Sequence, residues 1–301
     1  MALLGIPLSL NCGPKGEVTP VSVIESDRPA YVEMHQPAAD PSAFDTGSSG
    51  PPDLETLVLS LDEWNDMIAR QNALYNQIRI ESANDSLYKE TGNDLLREAN
   101  DAYRNGEFDH AGLTYSNATS LFARLSDGVE RDRNLSMTKA LLGSATTWQQ
   151  TQPLSYQSLY YSWKAMEHYR QAIVGGTGLP SIGGNRSVEI DMGEVEREWS
   201  ALLSEVDGKW KEGINPEDCL TEGNDKLVRG DEAFLKGDYQ AACRHYKGAV
   251  WAYALADRPH SVALGYMGMA LCDRELGDLK GSFYSLMKAD MTTDRAIRNG
   301  K

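Results

Sequence analysis

Cysteine is scarce in this chain: 301 residues hold four, Cys12, Cys219, Cys243 and Cys272, with no CxxC spacing. That argues against a disulfide-built scaffold and supplies no paired-thiolate metal motif. Cys243 and Cys272 have apolar neighbours and read as small packing residues. The five histidines, His35, His110, His168, His245 and His260, never pair at i, i+4 with a third ligand close in sequence, so no metal is expected. Basic runs are missing too, and the formal net charge is −15. Such a surface argues against a nucleic-acid backbone and leaves basic or apolar partners, including self-association. No apolar run reaches the ~18 residues of a membrane span, so no transmembrane segment is expected.

Chemistry-bearing motifs are equally thin. The run Gly175-Gly176-Thr177-Gly178-Leu179-Pro180-Ser181-Ile182-Gly183-Gly184 lacks the Gly-Lys-Ser/Thr ending of a phosphate loop and reads as a linker. No nucleophile elbow or paired-carboxylate setting stands out. The expectation is a protein with no cofactor and no catalytic residues.

The stretch 1–55 gathers Pro14, Pro20, Pro29, Pro37, Pro41, Pro51 and Pro52 with a Gly47-Ser48-Ser49-Gly50 run. That composition opposes helix and predicts a disordered or extended arm, with one short strand conceivable over Val21 to Tyr31. Met1 to Leu10 is apolar and leads to Cys12, and Asn-x-Ser/Thr triplets stand at Asn84, Asn117, Asn134 and Asn185. These features sustain an alternative reading, an exported, lipid-anchored structural component of an envelope or secretion assembly. The absent basic n-region and the poorly cleavable Asn11 favour a cytoplasmic placement over it.

What the chain does have is a repeat. Gly92-Asn93-Asp94 recurs as Gly223-Asn224-Asp225, and at the same constant offset Leu96 meets Leu227, Ala102 meets Ala233, Gly106 meets Gly237, Ala111 meets Ala242, Tyr115 meets Tyr246 and Ala118 meets Ala249. Leu96, Ala99 and Tyr103 share one helical face before Asn105-Gly106; Phe108, Ala111, Tyr115, Ala118 and Phe122 mark a second helix. The second copy repeats this with Leu227, Gly230 and Phe234, a turn at Lys236-Gly237-Asp238, then Tyr239, Ala242, Tyr246, Ala249 and Tyr253. Small residues let the two axes approach while aromatics fill the gaps. Further apolar spacings follow each copy: Leu141, Ala145 and Trp148 then Leu159, Trp163, Met166, Tyr169 and Ile173, and Leu264, Gly268 and Leu271 then Leu279, Phe283 and Leu286. Upstream, Trp64, Ile68 and Tyr75 match Trp199, Leu203 and Trp210 in spacing, which predicts an opening amphipathic helix in each half and ten helices in all.

At these residues the chain resembles the tetratricopeptide repeat family. Gly230 through Ala242, with Tyr246 and Ala249, carries that repeat's small residue, turn glycine, aromatic and alanine pattern; Ala99, Ala102, Gly106, Phe108, Ala111, Tyr115 and Ala118 carry it in the first copy. The resemblance implies an all-α helical-hairpin solenoid, internally duplicated, with arm 1–55, halves 56–175 and 191–301, and a linker over 176–190. It also implies a concave groove for a peptide or partner helix, lined by Asn93, Leu96, Asn100, Tyr103 and Arg104, then Asn224, Leu227, Asp231, Phe234 and Leu235. Leu96 and Leu227 stand at the lysine positions of the family's carboxylate clamp, and Asp231 would repel a carboxylate, so the groove is expected to be apolar. It either receives a hydrophobic segment or is covered by the protein's own Trp64 or Trp199 helix. The function expected is that of a non-enzymatic binding or assembly scaffold.

Overall fold

The computed structural model describes residues 56–76, 84–152, 155–175, 187–211 and 213–301. In chain order these form strand β1 (Thr56–Ser60), helices α1 (Leu61–Asn76), α2 (Asp85–Arg104) and α3 (Phe108–Ala123), a 3-10 turn at Asp127–Val129, α4 (Glu130–Thr151) and α5 (Tyr156–Val174); then β2 (Ser187–Asp191), α6 (Met192–Lys211), α7 (Pro216–Leu235), α8 (Tyr239–Leu255), α9 (Pro259–Glu275) and α10 (Leu279–Arg298). A strand, a single helix and two helix pairs occur twice in that order. The fold is all-α, as expected, with ten helices among the described residues. The expected arm, its short strand and the linker over 176–186 lie outside those residues.

Short polar side chains start the helices. Asn84 Oδ1 accepts from the Leu87 amide at 3.1 Å, Asp238 Oδ1 from that of Ala241 at 3.0 Å and Asp278 Oδ1 from that of Gly281 at 2.9 Å. Each satisfies one of the donors a helix N-terminus leaves open. The hairpin turns close on Gly106 and Gly237, at φ 79° and 78°, where an L side chain would be strained. The next amide reaches back, Glu107 to the Ala102 carbonyl at 2.9 Å and Asp238 to that of Ala233 at 3.0 Å, which ends α2 and α7 in the same motif.

Within and between pairs, an aromatic ring lies over a glycine. A Cβ on Gly92 would stand 2.6 Å from Phe122 of α3, and one on Gly223 would stand 2.7 Å from Tyr253 of α8. Tyr115 covers Gly143 of α4 as Tyr246 covers Gly268 of α9. The rings are fully or nearly fully buried, and each contributes about 1.5–3 kcal/mol by leaving water. Ala111, Ala118, Ala242 and Ala249 have no exposed surface, so the axes pack as closely as the sequence spacing predicts.

Two expectations are corrected. Residues 56–60, assigned to a helical half, and 187–190, assigned to the linker, are strands. Val188 and Ile190 are buried while Ser187 and Glu189 are exposed, a two-residue period that the neighbouring glycines obscured. The strands pair antiparallel, Thr56 to Asp191 and Ser60 to Ser187, with Val58 opposite Glu189 at the centre. The offset that takes Gly92 to Gly223 also takes Thr56 to Ser187 and Ser60 to Asp191, so it carries one strand onto the other and the pairing onto itself, which is the register of a local two-fold axis. That register aligns Trp64 with Val195 and Ile68 with Trp199, not Trp64 with Trp199; the side chain of Tyr75 is outside the described residues. Tyr156 Oη accepts from the Ser60 amide at 3.3 Å and donates to Glu63, while Tyr284 Oη accepts from the Asp191 amide at 3.3 Å and donates to Glu194. These tyrosines are counterparts and set the register of α5 against α10. Packing between the halves is matched likewise: α10 on α4 and α5 on α9, α10 on α2 and α5 on α7, with α10 against α5 in the middle.

Candidate binding site

The two expected groove faces are occupied by the protein itself. Tyr103 is 1% exposed and Phe234 5%. Tyr103 packs on Phe108 and Phe234 on Tyr239, with ring centroids 5.2 Å apart in both. Over the first face lies the end of α10: Ile297 joins Ala99, Ala102, Tyr103, Ala111 and Tyr115 in one apolar cluster. Tyr103 Oη donates to Asp294 at 2.5 Å, the Arg298 guanidinium sits 5.4 Å above the ring, and Arg104 reaches the Ile297 carbonyl at 3.5 Å. Over the second face lies α5, whose Tyr169, the counterpart of Ile297, donates to Asp231 at 3.5 Å.

Asn100 and Asp231 make equivalent bonds, whereas the bond of Asn224 has no counterpart, because Phe122 stands where the second half has Tyr253. Asn100 accepts from Tyr115 Oη at 2.6 Å and Asp231 from Tyr246 Oη at 2.9 Å; Asn224 accepts from Tyr253 Oη at 2.9 Å. Burial raises the pKa of all three tyrosines, to about 12 for Tyr253, so each remains a donor. Leu96 and Leu227 are half-buried, and Asn93 is exposed. Leu235, 54% exposed, points away with Val228 on an open side of α7. The ten residues therefore form two separate faces with no common groove, and the helices closing them are α10 and α5, rather than α1 and α6 as the sequence led us to consider.

An open groove lies instead along α6. Trp199, Leu202, Leu203, Val206 and Trp210 recur at helical spacing and line one wall of a cavity of about 260 Å³. Ala254, Pro259 and Val262 from the α8–α9 corner supply more apolar surface, and Thr292 and Arg295 of α10, with Asn299 just after it, close the far side. Trp199 Nε1 donates to Thr292 Oγ1 at 3.2 Å, which fixes that ring, while Trp210 remains 45% exposed. Asp207, Arg258, Arg295 and Lys301 bring both signs of charge to the rim, and Lys301 is bonded to Asp257. The sequence signal was present, since Trp199, Leu203 and Trp210 already share a stripe; the pocket facing it depends on three distant elements.

No family model, no curated protein and no solved structure matches this chain. The chemistry must be read from the geometry. The strongly shifted groups are dispersed. His168, half-buried and flanked by Lys164 and Arg133, is held down to a pKa of about 3, chiefly by desolvation, with Nδ1 3.1 Å from Asn134 Oδ1. Burial pushes the Cys243 thiol up to about 11, beside Asp273. Asp290, 2% exposed, is raised well above its usual range by desolvation and bonds to Ser162. Each bonds to a different neighbour. Among the described residues no three His, Cys, Asp or Glu side chains could hold a metal ion, and no helix is long and apolar enough to cross a membrane.

Proposed function

We propose that this chain is a non-enzymatic protein-binding module, built by internal duplication of tetratricopeptide-like helical pairs, whose binding surface is the α6 groove and whose partner presents the apolar face of a helix. The observation that carries the reading is an inversion of openness. The aromatic centres of the faces that would form the repeat family's groove lie under α10 and α5, while α6, the helix that opens the second half, supplies an exposed apolar wall with Trp210 at its end. A contiguous apolar cleft rimmed by mixed charge fits the apolar stripe of an amphipathic helix. Aromatic anchors such as Trp199 and Trp210 supply large contact area at low entropic cost.

The reading is tested with a photoreactive amino acid placed at Leu203 or, as control, at Val228. A protein crosslinked from Leu203 alone should bind the purified chain, and Trp210→Ser with Leu203→Ser should abolish that binding without moving the melt. Equal crosslinking from both positions, or unchanged binding by the double variant, would remove the groove from the function.

A further inference from the structure

On the other side of Trp199 a second cavity, of about 190 Å³, opens between α4, the start of α6 and α10. Its wall carries three carboxylates, Asp290, Asp294 and Glu196, and no Lys, Arg or His. The carboxamides of Gln149 and Gln150, the thioethers of Met192, Met287 and Met291, and Trp199 complete it, with Thr146.

Asp290 is the anomaly. Its Oδ2 accepts from Ser162 at 2.7 Å, but its Oδ1 is buried and has no hydrogen-bond partner. Protonated, the carboxyl lacks an acceptor there; ionised, it lacks a counter-charge. Either state leaves a buried polar atom unsatisfied, a cost of roughly 1–3 kcal/mol that needs a reason. The fold does not require the acid. In the register set by Tyr156 and Tyr284, the counterpart of Asp290 is Ser162 itself, so one half manages with a hydroxyl where the other carries a carboxyl.

We infer that this cavity binds a small organic cation, an alkylammonium group, with Asp290 as its counter-ion and Trp199 and the methionines around its carbon atoms. A volume below the ~300 Å³ of drug-sized pockets suits a short alkylamine or one lysine side chain. Arg298 pairs with Asp294 and also donates to Gln150 at 3.0 Å, but Asp290 bonds only to the Ser162 hydroxyl, and in a chain of net charge −15 that favours positive charge at Asp290. An aromatic and polarisable wall suits an alkylated cation. A bare metal ion fits poorly, because among the described residues no three such ligands converge on one point.

Occupancy has a proton signature. Burial raises the Asp290 carboxyl above its usual range, and a cation beside it favours the ionised form, so binding lowers its proton affinity and releases protons. The other charged groups of the wall are Glu196 from α6 and Asp294 from α10, the latter already bonded to Tyr103 and Arg298; α4 supplies Thr146, Gln149 and Gln150 and α5 supplies Ser162, none of which ionises.

Isothermal titration of the full chain with n-butylammonium chloride should give one site, about tenfold or more weaker in Asp290→Asn. The neutral n-pentanol should not compete. Heats in two buffers of different ionisation enthalpy should report proton release on binding by the wild-type protein, a readout that needs no variant to fold. Nα-acetyl-lysinamide separates the sources: binding tighter than butylammonium means a lysine offered by a protein, and weaker binding means a free amine. No saturable binding, equal binding of n-pentanol, or binding without proton release that Asp290→Asn leaves unchanged overturns the inference.

Discussion

Tyr103 and Phe234 stand at equivalent points of two hairpins, each packed on the aromatic that opens the next helix. The first carries a hydroxyl and is tied by it to Asp294 of α10, with Arg298 over its ring; the second has none, and Asp231, one turn earlier, meets Tyr169 of α5 instead. The same contrast runs through the opening helices. Trp64 of α1 is buried edge-on against Trp163 and Phe283, at 5.6 and 5.7 Å, whereas α6 leaves Trp210 open beside a groove. Packing is alike in the two halves, but polar chemistry and open surface are not, and both cavities adjoin α6 and α10. The shared architecture carries the core, and the departures from it are where the two halves expose different surfaces.

The comparison breaks first at the two rings. Tyr103→Ser and Phe234→Ser should each cost about 3–5 kcal/mol, because a buried aromatic leaves a cavity that close-packed helices cannot collapse. If urea denaturation shows either variant near wild-type stability, the corresponding face is open in solution, and the assignment of α10 or α5 as its cover fails.

A smaller effect tests whether the hairpins pack equally. Ala111→Leu and Ala242→Leu should each destabilise by about 1–3 kcal/mol through overpacking, with similar shifts of the two thermal midpoints. A loss in one alone would show that the equivalence holds in sequence and not in packing.

Acid titration separates the polar asymmetries. The folded pKa of His168 is near 3 against an ordinary 6.5, so the unfolded chain takes up a proton that the folded one refuses. This contribution is full above pH 6.5 and is lost as the pH falls toward 3. Asp290 acts in the opposite sense: its folded pKa lies above the ordinary 3.8, so its contribution is full below that value and is lost as the pH rises. In urea midpoints measured against pH, His168→Gln should flatten the acid decline and Asp290→Asn should raise stability most toward neutral pH. Unchanged profiles would place both groups in contact with water.

The smallest effect sharpens the two-fold itself. Tyr284→Phe should lower the melting midpoint more than Tyr156→Phe, since Tyr284 donates to Glu194 at 2.7 Å and Tyr156 reaches Glu63 only at 3.3 Å. The reverse order would mean that the β1–α1 corner, not the β2–α6 corner, is the firmer.

Helical hairpins were legible in the sequence because their causes are local. Turn glycines at 106 and 237, capping Asn and Asp residues and a three-to-four-residue apolar period act within a few positions of one another. The strands were missed because so short an alternation carries little signal beside a glycine-rich run, and their pairing joins residues as far apart as Thr56 and Asp191. The expected groove was half legible: Asn100, Tyr103, Asp231 and Phe234 do share helix faces, but what lies over those faces is contributed from 62 to 191 positions away.

By itself, then, the sequence determined the helices, their pairing into two like sets, the small-residue crossings and the apolar stripe on α6. Each follows from backbone hydrogen bonding and side-chain period, which neighbours in the chain settle. Only the tertiary structure decided that α10 and α5 close the faces of α2 and α7, that Asp290 is left with an unpartnered oxygen, and that the α6 groove stays open. Which apolar face meets which depends on burying the most surface across the whole unit, and no local pattern encodes that choice.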